Sequence, residues 1–234
     1  MDYTYNITAS QSRAARVAGL TLLVLIISGL FSNLYVDPKI IVDADAAQTA
    51  NNILTHERLF RIGIASTLIM FNCDILQALA LYVLLKPVGK NLALLGVFWR
   101  FANACIGSFL VLNSFTALQL AANTGYLTAI NLKKSQALMM LFIDPQTGAG
   151  SIELIFFSLG MGVHGYLLFK SKYIPRILSS LYLFAAILLL LSSFALIIFP
   201  KIDAVISPAY ILPDFVAELL LGLWLSIKGV KPSK

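Results

Sequence analysis

Charge is what this sequence has least of. Asp, Glu, Lys and Arg make up 12% of the 234 residues, against roughly 25% in an ordinary soluble domain, while 59% are apolar. So little charge excludes a water-soluble single-domain fold. Histidine is nearly absent: His56 and His164 stand alone on distant parts of the chain, so a three-histidine zinc site is excluded and a bis-histidine haem across two spans has no support. Cys73 and Cys105 both fall inside apolar runs, where they read as small buried residues rather than as a disulfide or metal pair. There is no G-x-S-x-G elbow, H-E-x-x-H helix, phosphate-binding glycine loop or dinucleotide fingerprint. Lysine is confined to loops and tails, which argues against a retinal Schiff base. The net charge of +6 could suggest nucleic acid, but the basic residues sit in small groups between apolar runs, a pattern of membrane topology. The expectation is therefore no metal, no cofactor and no nucleic-acid partner, with the lipid bilayer as the first partner.

What is present is a series of apolar runs, each near the roughly 20 residues that cross a hydrocarbon core of about 30 Å as a helix. Six are expected as spans, at about 14–36, 59–85, 91–121, 151–169, 177–199 and 210–227. The fold class is thus all-α: an integral membrane bundle of six transmembrane helices over 14–228, with short tails at 1–13 and 229–234. The first run is read as a retained membrane helix, since no small-residue cleavage site follows it. Proline punctuates the runs. Asp37-Pro38 ends the first, Lys86-Pro87 closes the second before the tight turn Val88-Gly89-Lys90, and Pro208 and Pro213 open the sixth, near a helix start where proline is tolerated. Two short interfacial helices are expected in the outer connections, Ala46 to Thr55 behind an Asp45 cap and Leu127 to Phe142.

Lys and Arg in short loops stay cytoplasmic. One set of connections holds ten of them, Arg13, Arg16, Lys86, Lys90, Lys170, Lys172, Arg176, Lys228, Lys231 and Lys234; the other holds five, Lys39, Arg58, Lys133, Lys134 and Lys201, among six acids that include Asp144 and Asp203. Both termini should be cytoplasmic, in a bacterial inner membrane protein.

The informative residues are the ionisable ones inside the runs, because each costs at least about 2.5–3.5 kcal/mol at the bilayer centre and needs an interior partner. Asp74 and Arg100 match in depth to within a helical turn on neighbouring helices, at about 16 and 12 Å from the inner end, so an ion pair that clamps the hairpin is expected. Arg100, Asn103, Gly107 and Ser114 share one face of the third span, and Glu153, Phe157, Gly160 and His164 share one of the fourth. On the sixth, Asp214 and Glu218 are one turn apart. Glu153 and Asp214 read equally as helix N-terminal acids favoured by the dipole, and His164 as a packing residue or a proton carrier. Arg61 snorkels to the outer interface. Glu218 is expected about 10 Å below the outer surface, nearer to it than Arg100, facing a polar cavity entered from that side beneath the Leu127 to Phe142 helix.

Four separated stretches, DADAAQTANNILTHERLFRIGIAS, LYVLLKPVGKNLALLGVFWR, FFSLGMGVHGYLLFKSKYIPRIL and AELLLGLWLSIKGVK, resemble the bacterial membrane proteins grouped as domain of unknown function 4386. The resemblance runs over nearly the whole chain from about Arg13. It implies a multi-pass inner-membrane protein and brings no established activity, ligand or catalytic residue. Arg61, Asp74, Arg100 and Glu218 fall on that family's recurring polar positions, as do the Lys86-Pro87 and Ile174-Pro175-Arg176 turns. Its pattern places a histidine close after the paired phenylalanines, about where Gly160 stands here, whereas His164 lies one turn further along the same face.

The functional expectation is a protein that binds or moves a small or amphipathic, lipid-like molecule through a polar interior formed by Asp74, Arg100, Asn103, Glu153, His164, Asp214 and Glu218. An intramembrane enzyme using Asp74, Glu218 and His164 as acid and base groups, or a partner subunit whose ion pairs only fix helix packing, are the alternatives. The sequence leaves the oligomeric state open.

Overall fold

The computed structural model describes residues 7–143, 149–199 and 202–230. All regular structure among these residues is helical. The chain enters α1 (Ala9–Leu30) through a capping box: the Thr8 hydroxyl accepts from the Gln11 amide at 3.2 Å and the Gln11 side chain accepts from the Thr8 amide at 3.0 Å. Helix does not stop at Asp37 as the proline predicts. It continues as a π-helical segment (Phe31–Val36) and a short α2 (Asp37–Ile40), because Pro38 falls in the first turn of α2, where its missing N–H costs nothing. The short α3 (Ala46–Thr55) is capped by Asp45, whose carboxylate accepts from the Gln48 amide at 2.9 Å, as the sequence indicates.

The next element, α4 (Glu57–Ala122), is 66 residues long and folds back on itself at Gly89, where φ −174° and ψ 88° break the helical path. Its two arms, 57–88 and 90–122, run antiparallel, which is why residues of the first touch residues of the second across almost thirty positions of sequence. A 3-10 turn (Gly125–Ala129) and α5 (Leu132–Ile143) follow. The helix expected from Leu127 therefore starts five residues later, after a turn that Thr128 closes by donating to the Gly125 carbonyl at 2.8 Å. The chain then forms α6 (Ala149–Ser171), α7 (Arg176–Ile198) and α8 (Asp203–Ile227). Because α8 starts at Asp203, Pro213 lies inside it rather than at its opening, a position that membrane helices tolerate when neighbours satisfy the freed carbonyl.

These helices close into a ring. α1 packs on α4 and α8, α4 on α6, α6 on α7, and α7 on α8. Small residues set the closest approaches: a Cβ on Gly19 of α1 would lie 2.5 Å from the Ser226 amide of α8, and one on Gly165 of α6 would lie 3.2 Å from Leu183 of α7. Polar contacts fix which ends meet. Gln11 donates to the Leu84 carbonyl at 3.1 Å and to the Tyr173 hydroxyl at 3.4 Å, so the start of α1, the Gly89 bend and the end of α6 share one end of the bundle with the end of α8. That end gathers the exposed Arg13, Arg16, Lys86, Lys90, Lys170, Lys172, Arg176 and Lys228. Of the other charges assigned from sequence, Asp144, Lys201, Lys231 and Lys234 lie outside the described residues.

Five helical stretches are long and apolar enough to cross a membrane, the folded-back α4 counting as one. Their outward faces carry large apolar side chains, among them Ile27, Phe109, Ile177 and Leu191. The chain is a multi-pass membrane protein.

Candidate functional site

Arg100, on the second arm of α4, is the hub of the interior. It is fully buried, and a buried guanidinium persists only where opposite charge and hydrogen bonds surround it. Its Nη2 makes an ion pair with Asp74 of the first arm and donates to Gln77 Oε1 at 2.8 Å, one turn further along that arm. Asn103, one turn from Arg100, donates to the other Asp74 oxygen at 2.8 Å. The same Nη2 lies 3.8 Å from Glu218 Oε1 of α8.

The fourth wall of this site is α6. Phe157 lies over the guanidinium, whose carbon is 3.8 Å from the ring centroid, a cation–π contact that gains strength where water is excluded. One turn on, Gly160 makes room for the Arg100 stem: a Cβ there would lie 2.7 Å from Arg100 Cγ. A further turn on, the fully buried His164 ring rests on Gly96 of α4, where a Cβ would lie 2.6 Å from Nε2. The face shared by Phe157, Gly160 and His164 thus turns inward toward Arg100.

Glu153, Tyr182 and Asp214 stand within electrostatic reach of Arg100, Glu153 and Asp214 half-buried and Tyr182 fully buried. All seven candidate residues, Asp74, Arg100, Asn103, Glu153, His164, Asp214 and Glu218, therefore fall in one region of the bundle. Two carboxyl groups, of Asp74 and Glu218, stand against the guanidinium there, and those of Glu153 and Asp214 lie further off. Sequence reasoning missed Gln77 and Tyr182. Gln77 was legible as the residue one turn beyond Asp74; Tyr182 was not, because a tyrosine in an apolar run counts as an apolar residue until its hydroxyl is seen to be buried.

Many polar atoms of this region have no protein hydrogen-bond partner: Arg100 Nε and Nη1, both ring nitrogens of His164, the Tyr182 hydroxyl, Asp214 Oδ1 and Glu218 Oε1. Buried polar atoms are nearly always satisfied, and those without a protein partner here are concentrated around Arg100.

Glu218 differs from expectation in depth. It stands level with Arg100, because both are about as far from the basic end, nine residues from Ile227 and ten from Lys90; counting depth from opposite ends of helices of unequal length separates them wrongly. It also lines neither of two cavities near the other end. One of these is bounded by Phe71 and Gly107 at its inner end and by Phe142 and Ile143 of α5, so α5 covers that cavity rather than Glu218. Gly107 and Ser114 lie further along the same helical face as Arg100 and line this cavity. Arg61 pairs with Glu57 at 2.7 Å on the exposed start of α4. Cys73 and Cys105 are free thiols.

Among known proteins, an uncharacterized protein of Archaeoglobus fulgidus is 28% identical over 167 residues, which cover 69% of this chain and 80% of that relative. No solved structure matches the chain. The family described as Domain of unknown function (DUF4386) matches residues 17–229, from the first turns of α1 to just beyond α8, and the chain belongs to that family.

Proposed function

We propose that this protein binds a small or amphipathic molecule inside the bundle, with the polar part of that molecule satisfying the groups around Arg100. In this reading each arm of α4 crosses the membrane, giving six spans, and the basic end with both termini faces the cytoplasm, as the excess of Lys and Arg favours. The observation that carries the proposal is the set of unpartnered buried atoms on Arg100, His164, Tyr182, Asp214 and Glu218. A purely architectural ion pair would need Asp74 and Gln77 alone. Passage to the basic end is not the favoured extension, because Leu81, Leu84, Leu85, Leu167 and Leu168 form a buried apolar core between Arg100 and that end.

The test uses Tyr182→Phe and His164→Leu, which remove unpartnered polar atoms without touching the Asp74–Arg100 pair. Small molecules extracted from the purified protein are compared by mass spectrometry across wild type and both variants. A species enriched with wild type and depleted at least about tenfold in the variants, a difference of about 1.4 kcal/mol in binding, is the expected result. Variants that retain the same extract and unfold at a higher temperature than wild type would favour the partner-subunit reading, since replacing an unsatisfied buried polar atom by an apolar one relieves its desolvation cost.

A further inference from the structure

The cavity at the end away from the basic residues has features that the Arg100 region does not explain. It encloses about 240 Å³ between the π-helical segment, the two arms of α4 and the end of α5. Its walls divide by chemistry. Ser32, Asn33, Asp37, Thr67 and Ser114 supply polar groups, while Phe60, Ile64, Phe71 and Val111 supply an apolar surface. An adjoining recess of about 520 Å³ shares Asn33, Asp37, Ile41 and Ile143 and adds Asp43.

The local backbone is shaped to this space. Six consecutive π-helical residues are rare, and such widened turns are concentrated at functional sites; here Ser32, Asn33 and Val36 of the widened segment all face the cavity. The Ser32 hydroxyl pairs with that of Thr67 at 3.0 Å, tying the π segment to the first arm of α4. A Cβ on Gly63 would lie 2.8 Å from Val36, so the two walls meet as closely as a glycine permits.

Charge then selects the occupant. The ionisable residues lining the cavity and its recess among those described are Asp37 and Asp43, both acids. Lys39, two residues from Asp37, is turned aside onto the Tyr35 ring, its ammonium 3.6 Å from the centroid. A carboxylate ligand would meet like charge, and a neutral one would leave Asp37 without a counter-charge at the edge of the apolar region. We infer that this cavity is a binding site for a small amphiphile with an ammonium-type head, the head at Asp37 and a short apolar tail against Phe71 and Val111. The cavity on the apolar side of Asp37 is below the roughly 300–1,000 Å³ of a drug-sized site, which sets the tail to a short chain, while the recess widens the space on the side of the head. The site is separate from the Arg100 region: Phe71 and Gly107 stand between them, one turn from Asp74 and Asn103 respectively. It therefore holds or fails independently of the proposed interior site.

The experiment measures thermal unfolding of the full-length protein in lipid nanodiscs with hexylammonium, hexanol and hexanoate at matched free concentrations. A ligand that binds only the folded state raises its stability in a saturable way. Hexylammonium should do so at concentrations at least tenfold below those needed for hexanol, and hexanoate should give no saturable rise. Asp37→Asn should remove the advantage of the amine. Ser114→Leu, which fills the cavity, should abolish the saturable rise, and Lys90→Ala, at the exposed basic end, should leave it unchanged. Equal shifts from all three compounds, a preference for hexanoate, or an undiminished response in Ser114→Leu would each overturn the assignment, and the comparison of the three compounds on wild type stands even where a variant does not fold.

Discussion

Arg100 is held by contacts that act together, and removing a charged partner unbalances charge in the buried interior. Its Nη2 is shared between Asp74, Gln77 and Glu218, its guanidinium face is covered by Phe157, and its stem fills the space left by Gly160. Arg100→Gln should lower stability by about 3–5 kcal/mol, because it strands the Asp74 carboxylate without its cation, and Asp74→Asn should cost less, because Glu218 remains beside the guanidinium. The double variant should lose less than the sum of the two. Thermal unfolding of the three variants in one detergent measures this; strictly additive losses would show that the pair is not coupled. The pair was legible in the sequence because two opposite charges at matching depth on hairpin neighbours have few other ways to be satisfied. Glu218 as a third partner was not legible, since a sequence gives depth along each helix but not the rotation of one helix against another.

At the level of elements, α4 and the segment after α1 carry the arrangement. Gly89 turns a 66-residue helix into two antiparallel arms, and that fold places Phe71 against Gly107, level by level with the Asp74–Asn103 contact beneath. A Cβ on Gly107 would collide with the Phe71 ring, so Gly107→Ala should destabilise by about 1–3 kcal/mol through overpacking. Phe71→Leu should recover part of that loss when combined with it, although alone it leaves a smaller side chain in a buried site. Differential scanning calorimetry of the two single variants and the double variant reads the effect, and a double variant no better than Gly107→Ala would mean that the ring is not what the new methyl meets. The turn after Lys86-Pro87 and the Asp45 cap could be read from sequence, because proline, glycine and capping side chains act on the residues next to them. The π-helical segment could not. Phe31 to Val36 has no local composition that demands the wider turn, and Pro38 pointed to a helix end two residues later; it is contact with the first arm of α4, through Ser32 and Thr67, that distinguishes this stretch.

For the whole molecule, the ring of helices gives one end eight exposed basic residues and the other end the acid-lined cavity. In a background without Cys73 and Cys105, Lys90→Cys and Thr124→Cys lie at opposite ends of the second arm of α4, both at exposed positions. The proposed orientation predicts that an impermeant thiol reagent applied to intact cells labels Thr124→Cys and spares Lys90→Cys; the reverse pattern would invert the topology, and labelling of both would remove the crossing between them. The sequence alone determined that this is an all-α, multi-pass membrane protein, because apolar run length and the scarcity of charge are properties summed along the chain and need no knowledge of neighbours. It also singled out the interior polar residues, since the cost of burying a charge in hydrocarbon falls on each residue wherever its helix packs. Only the tertiary structure decided that these residues converge on Arg100, that Tyr182 joins them, and that a separate cavity lies behind Phe71. Those facts depend on which faces meet when six helical segments close into a ring, and rotation and register are fixed by packing between distant segments such as Gly19 against Ser226 and Gly160 against Arg100, which no stretch of sequence encodes by itself.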